Sequence, residues 1–170
     1  MKKIKSLIMM IMIAATTGAM AQQSATASSS ATIVAPIGIA KTADMNFGNV
    51  ATTGAGGTVV LATDGTTSPT SGVTLPASNT GTISAAAFNV SGEGAYTYSI
   101  GLPGTVILSD GATSANTMSI GTFVSNPATT GTLTSGAQTV NVGATLTVVG
   151  GQEPGVYTNT TDLTVTVNYN

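Results

Sequence analysis

The sequence has no cysteine, histidine, arginine or tryptophan, and four lysines among its 170 residues. Each absence removes a class of function. Without cysteine or histidine there is no thiolate nucleophile, no imidazole base and no thiolate or imidazole metal site. Four lysines and no arginine cannot neutralise a run of phosphates, so nucleic acid is excluded as a partner. Aromatic residues make up 4% of the chain and charged residues 6%, against 42% hydrophobic. What is present in quantity is Thr, Ala, Gly, Ser and Val, the makings of a β-rich, chemically quiet surface.

The first residues read as an export signal. Lys2, Lys3 and Lys5 form a charged start, Leu7 to Ala15 an apolar run, and Ala19-Met20-Ala21 a small-residue cleavage site before Gln22. The apolar run is too short to span a bilayer core of roughly 30 Å as a helix, and no later segment is longer, so no membrane span is expected after cleavage. A lipid anchor on cysteine is excluded. The expected organisation is a signal helix at 1–21, a flexible Ser/Ala/Thr/Gln leader at 22–30 and one domain at 31–170. Removal of the signal takes three of the four lysines and leaves Lys41 against six acids, a formal charge of −5 in place of −2. The expected location is the periplasm, the outer surface or the extracellular space.

From Ala31 onward, short runs of alternating Thr and apolar residues are punctuated by Gly, Pro, Asn and Asp, the signature of strands and turns. Ile33, Ala35, Ile37 and Ile39 share one face of an expected first strand, with Pro36 marking it as an edge. Tyr96, Tyr98 and Ile100 share another face, with both rings expected in the core. The phase changes between Ile120 and Phe123, which predicts a bulge near Gly121. Val140, Val142, Ala144, Leu146 and Val148 alternate cleanly, as do Leu163, Val165, Val167 and Tyr169. No segment of the exported chain carries a sustained 3.6-residue apolar stripe. The reading is an all-β, antiparallel, immunoglobulin-like sandwich of roughly nine to eleven strands.

A search for chemistry finds little. The acids Asp44, Asp64, Glu93, Asp110, Glu153 and Asp162 are scattered, with no adjacent pair and no Asp-x-Asp calcium loop. Asp64 and Asp110 each precede Gly and read as turn-formers. Lys41 is the single candidate base, and Ser-x-x-Lys and Gly-x-Ser-x-Gly are both absent. A side-chain amide between Lys41 and an Asn is the one unusual covalent option. Asn89-Val90-Ser91 and Asn159-Thr160-Thr161 match the glycosylation pattern, but the leader is of bacterial style and both are read as strand residues. No catalytic, cofactor or metal-binding residue is assigned.

The chain resembles an exported bacterial family, the domain-of-unknown-function family 4402. The resemblance rests on the stretch from Ala31 to Val50, on Gly57–Leu61 and Gly72–Pro76, and on Val142–Leu146, Pro154–Thr158 and Val165–Tyr169. More distantly it is similar to spore-coat-U-like and other chaperone–usher pilus subunits, through a leader, a first strand, the Phe47-Gly48 step and a Pro/Gly-x-Tyr entry to the last strand. It lacks the cysteine pair common in those pilins, and Gln22–Ser30 offers only Ala25 and Ala27 as apolar residues. The resemblance implies a fimbrial-like subunit joined to copies of itself or to other surface subunits by β-strand addition, with a periplasmic chaperone and usher as partners. The expectation is therefore a non-catalytic, exported structural protein of the cell surface or matrix. The alternative is a secreted adhesin or glycan-binding β-sandwich module.

Overall fold

A computed structural model describes residues 22–70, 72–112 and 116–170. The expected signal helix at 1–21 lies outside the described residues. The chain divides into two units, Met1–Ile33 and Val34–Asn170. In the first, residues 22–33 carry no helix or strand.

The second unit is all-β. Its strands are β1 (Gly38–Ala43), β2 (Asn46–Phe47), β3 (Ala51–Thr52), β4 (Gly57–Leu61), β5 (Thr67–Pro69), β6 (Val73–Thr74) and β7 (Ile83–Ser84). There follow β8 (Ala86–Ser91), β9 (Thr97–Gly101), β10 (Val106–Ser109), β11 (Thr117–Asn126), β12 (Thr130–Thr132), β13 (Ala137–Val148) and β14 (Thr166–Tyr169). The fourteen strands among the described residues exceed the expected nine to eleven because four of them, β2, β3, β6 and β7, are two-residue pieces. Every pairing between them is antiparallel. No helix among the described residues is long and apolar enough to cross a membrane.

β13 organises the domain. Its inward residues Val140, Val142, Ala144, Leu146 and Val148 are all buried, and Thr139, Asn141, Thr145 and Thr147 alternate with them. Burying a Val or Leu side chain stabilises by about 1.5–3 kcal/mol, so this alternation fixes the register of the strand. One edge of β13 pairs with β11. The other edge carries two strands in succession, β8 along Ala137–Val142 and β4 along Ala144–Val148. The large sheet thus runs β1-β8-β13-β11-β10, with β4 and β5 branching from the far end of β13. A second sheet has the order β12-β9-β14.

Two apolar clusters follow from this fork. One joins Phe88 and Val90 of β8 and Val140 and Val142 of β13 to Tyr98 and Ile100 of β9, with Leu133 and Val165. The other joins Val59 and Leu61 of β4, Val106, Ile120 and the far half of β13 to Phe47 and Val73. Phe123 packs against both. It does so because the register slips between Gly121 and Val124, with Thr122 at φ +48°. This is the bulge that the change of phase predicted, and it turns Ile120 and Phe123 to the same side.

Two expectations fail locally. The first strand does not run over Ile33–Ile39 but begins at Gly38. Pro36 has no N–H to give a ladder, and the Ala35 N–H goes to the Glu93 carboxylate instead. Tyr96 is not in the core. Ala95 adopts φ +64° just before it, and Tyr96 is 44% exposed, its ring set edge-on against that of Tyr169 with centroids 5.6 Å apart. Tyr98 is fully buried, and its hydroxyl donates to Gln138 Oε1 at 2.7 Å.

Candidate functional site

Two features stand out: the attachment of the first strand, and a cleft at the opposite end of β13. The first begins at Ala35. Its N–H donates to Glu93 Oε2 at 3.1 Å, and its carbonyl accepts from the Tyr169 hydroxyl at 2.9 Å. The same hydroxyl accepts from the Glu93 N–H at 2.6 Å. Gly92 makes this approach possible, because a Cβ there would lie 2.2 Å from the Tyr169 oxygen. Two side chains thus supply the donor and acceptor that a neighbouring strand would otherwise give to Ala35. Ile37 then packs on the adjoining apolar cluster. β1 follows, paired to β8 from Gly38↔Ser91 to Ala43↔Ala87, with a bulge between Lys41 and Ala43. It is the end strand of its sheet, and residues 39–42 are exposed.

The cleft has a volume of about 1000 Å³. Its floor is the inner face of three adjacent strands, β10, β11 and β13. Val106, Ile120 and Leu146 form one cross-strand row, with Leu108, Met118 and Val148 beside it. One wall is the segment 44–52, the other the segment 152–160. Neither wall is a continuous strand. Gly48, at φ +74°, separates β2 from β3, and the Asn49 N–H turns away to the Thr80 carbonyl. On the other side Thr158 exchanges a pair of backbone bonds with Ser109 of β10, and the chain then folds into a turn. Asn159 builds that turn. Its Oδ1 accepts from the Thr161 and Asp162 N–H groups, and its Nδ2 donates to the Ile107 carbonyl and to Asp162 Oδ2. Asn159 is therefore a turn anchor rather than the strand residue the sequence suggested, whereas Asn89 lies in β8. At the rim Gln152 Nε2 donates to the Tyr157 hydroxyl, which donates to the Glu153 carbonyl, while Gln152 Oε1 is buried without a partner among the described residues.

Three of the acids, Asp64, Asp110 and Asp162, are tied into local turns. Asp64 accepts from the Thr66 N–H and hydroxyl, and the hydroxyl above all holds its carboxyl below the usual value. Asp110 accepts from the Ala112 N–H, the largest cause of its lowered pKa, and from Asn116. Asp162 is lowered first by the Asn159 amide and then by Thr161. Lys41 pairs with Asp44 three residues on, both side chains largely exposed, and no Asn amide among the described residues is its hydrogen-bond partner. Among the described residues no group of three acids is placed to hold a metal ion. Glu93, Tyr169, Gln152 and Asn159 carry the two features, and sequence reasoning missed all four roles. No spacing links positions 35, 93 and 169, which meet only through the sheet pairings.

The family model described as "Domain of unknown function (DUF4402)" matches residues 37–169. The chain belongs to this family. The match begins at Ile37, one residue before β1, and ends at Tyr169, the last residue of β14. No curated protein and no solved structure matches the chain.

Proposed function

We propose that this DUF4402 protein is a non-catalytic, exported structural subunit of the cell surface or matrix, fimbrial-like, built on an immunoglobulin-like sandwich. The observation that carries the reading is the placement of β1. A segment without regular structure, 22–33, leads through Ala35 into an end strand whose outer edge pairs with no other strand among the described residues. An end strand of six residues, paired on one side alone, is an element through which chains join, by strand addition or by exchange between copies. Copies of the chain or other surface subunits are the partners this suits, with a periplasmic chaperone and usher to deliver it. The test is the assembly state of the exported form, whose intact mass should begin at Gln22. SDS-resistant multimers whose formation depends on residues 22–40 support the reading. A protein that stays monomeric at every concentration, in the presence of its co-expressed chaperone and usher, overturns it.

The cleft favours a second reading, a secreted adhesin or glycan-binding module, since an apolar floor with a polar rim suits a ligand. Binding on a glycan array that is lost in Tyr157→Ala, with assembly unchanged, would decide for it.

A further inference from the structure

The limb Val34–Ala43 is held along one side by groups that all belong to the body of the domain. Ala35 is bonded to residues 58 and 134 positions away. Its strand pairs with β8 and with no other strand among the described residues. The limb does not return on itself in a hairpin. It runs straight on: the register opened at Ala43↔Ala87 continues at Asn46↔Ser84 in β2. The natural hinge is Thr42–Met45, where the ladder is already interrupted by the bulge. Bridging that hinge is the exposed Lys41–Asp44 pair, the kind of contact that adds little.

We propose that this limb exchanges between copies. β1 of one copy replaces its equivalent on β8 of a partner subunit, and its Ala35 docks between Glu93 and Tyr169 of the partner subunit. The proposal rests on the assembly reading above and deepens it: the joint is made by exchanging β1, not by adding a strand to its free edge. Every bond of the closed form is re-formed in the exchanged one, so the two differ by the hinge conformation and the cost of association. High local concentration, as on a surface, offsets that cost. Addition to the outer edge is the less favoured joint, because Lys41 and the bulge are features that blunt an edge strand.

The absence of cysteine makes a clean test possible. Ala40 and Asn89 are exposed ladder partners. Antiparallel partners have Cα atoms about 4.5–5.5 Å apart, within reach of a disulfide. Ala40→Cys and Asn89→Cys single variants, mixed at assembling concentration and oxidised, should form a covalent dimer joining the two variants through these positions. The double variant, oxidised when dilute so that the disulfide closes within one copy, should lose multimers on concentration and regain them on reduction. Gly38→Cys with Ser91→Cys, the first pair of the ladder, repeats the test should the Ala40/Asn89 pair not fold. Multimers formed by the internally locked protein at the wild-type level would overturn limb exchange while leaving assembly standing. A wild-type chain that never assembles would overturn both.

Discussion

Tyr98 shows how one residue ties the two larger sheets. Its buried ring lies opposite Gly131 of β12, where a Cβ would come within 2.3 Å of the ring, and its hydroxyl reaches Gln138, which also accepts the Thr132 N–H. Gly131→Ala is expected to lower stability by about 1–3 kcal/mol through overpacking, read from urea unfolding. Tyr98→Phe, which only removes one hydrogen bond, should cost about 0.5–1.5 kcal/mol. Burial raises the Tyr98 pKa above 10.0, so the folded state holds its proton more tightly than the unfolded chain. That contribution is complete below pH 10 and is lost as pH rises through the folded pKa. The alkaline fall in stability should be shallower in Tyr98→Phe. The lowered carboxyls of Asp64, Asp110 and Asp162 act in the opposite sense. Their contribution is present above 3.8 and is lost as pH falls below it. Asp110→Asn should therefore be less stable than wild type at pH 7, and the gap should narrow at pH 3. Asp64 and Asp110 were legible as turn-formers from the following glycine. The outward turn of Tyr96 was not, because it depends on a positive φ at Ala95 that the residue type disfavours.

At the scale of elements, strands buried on one face were legible and strands defined by their partners were not. β13 could be read from alternation alone, and the β11 bulge from a change of phase, because both are local consequences of facing a core. The start of β1 could not. Its alternating Ile33–Ile39 pattern resembles a strand, yet Pro36 and the distant Glu93 divert the backbone before Gly38. The four two-residue strands are too short to show alternation, and they form where 46–52 meets 73–84. Leu146 lies on the half of β13 shared by β4 and β11, and it also forms part of the cleft floor. Leu146→Ala is expected to cost about 2–5 kcal/mol in thermal or urea unfolding. The partly exposed Met118, in the second row of that floor, should tolerate Ala with a much smaller loss.

For the whole molecule, composition excluded more than it assigned. The all-β class follows from the Thr/Val alternation, while the forked sheet, the cleft and the clasp at Ala35 arise from pairings between residues far apart in sequence. The compact unit starts at Val34, so deletion of residues 22–33 should leave the melting temperature of the domain unchanged in calorimetry. A lowered melting temperature would mean that the leader contributes to the folded body, contrary to that boundary.

The bond between Ala35 and Tyr169 has a mechanical meaning. The chain enters and leaves the domain at one pole, fastened there by the three hydrogen bonds among Ala35, Glu93 and Tyr169. A pull on the leader, resisted by the body, loads this clasp first, then the packing of Ile37 on the adjoining apolar cluster, and then the β1–β8 ladder. The clasp is placed as a fuse: under tension it is expected to open first and lengthen the tether by the few residues it held, which single-molecule pulling would read as a small step ahead of the main unfolding event.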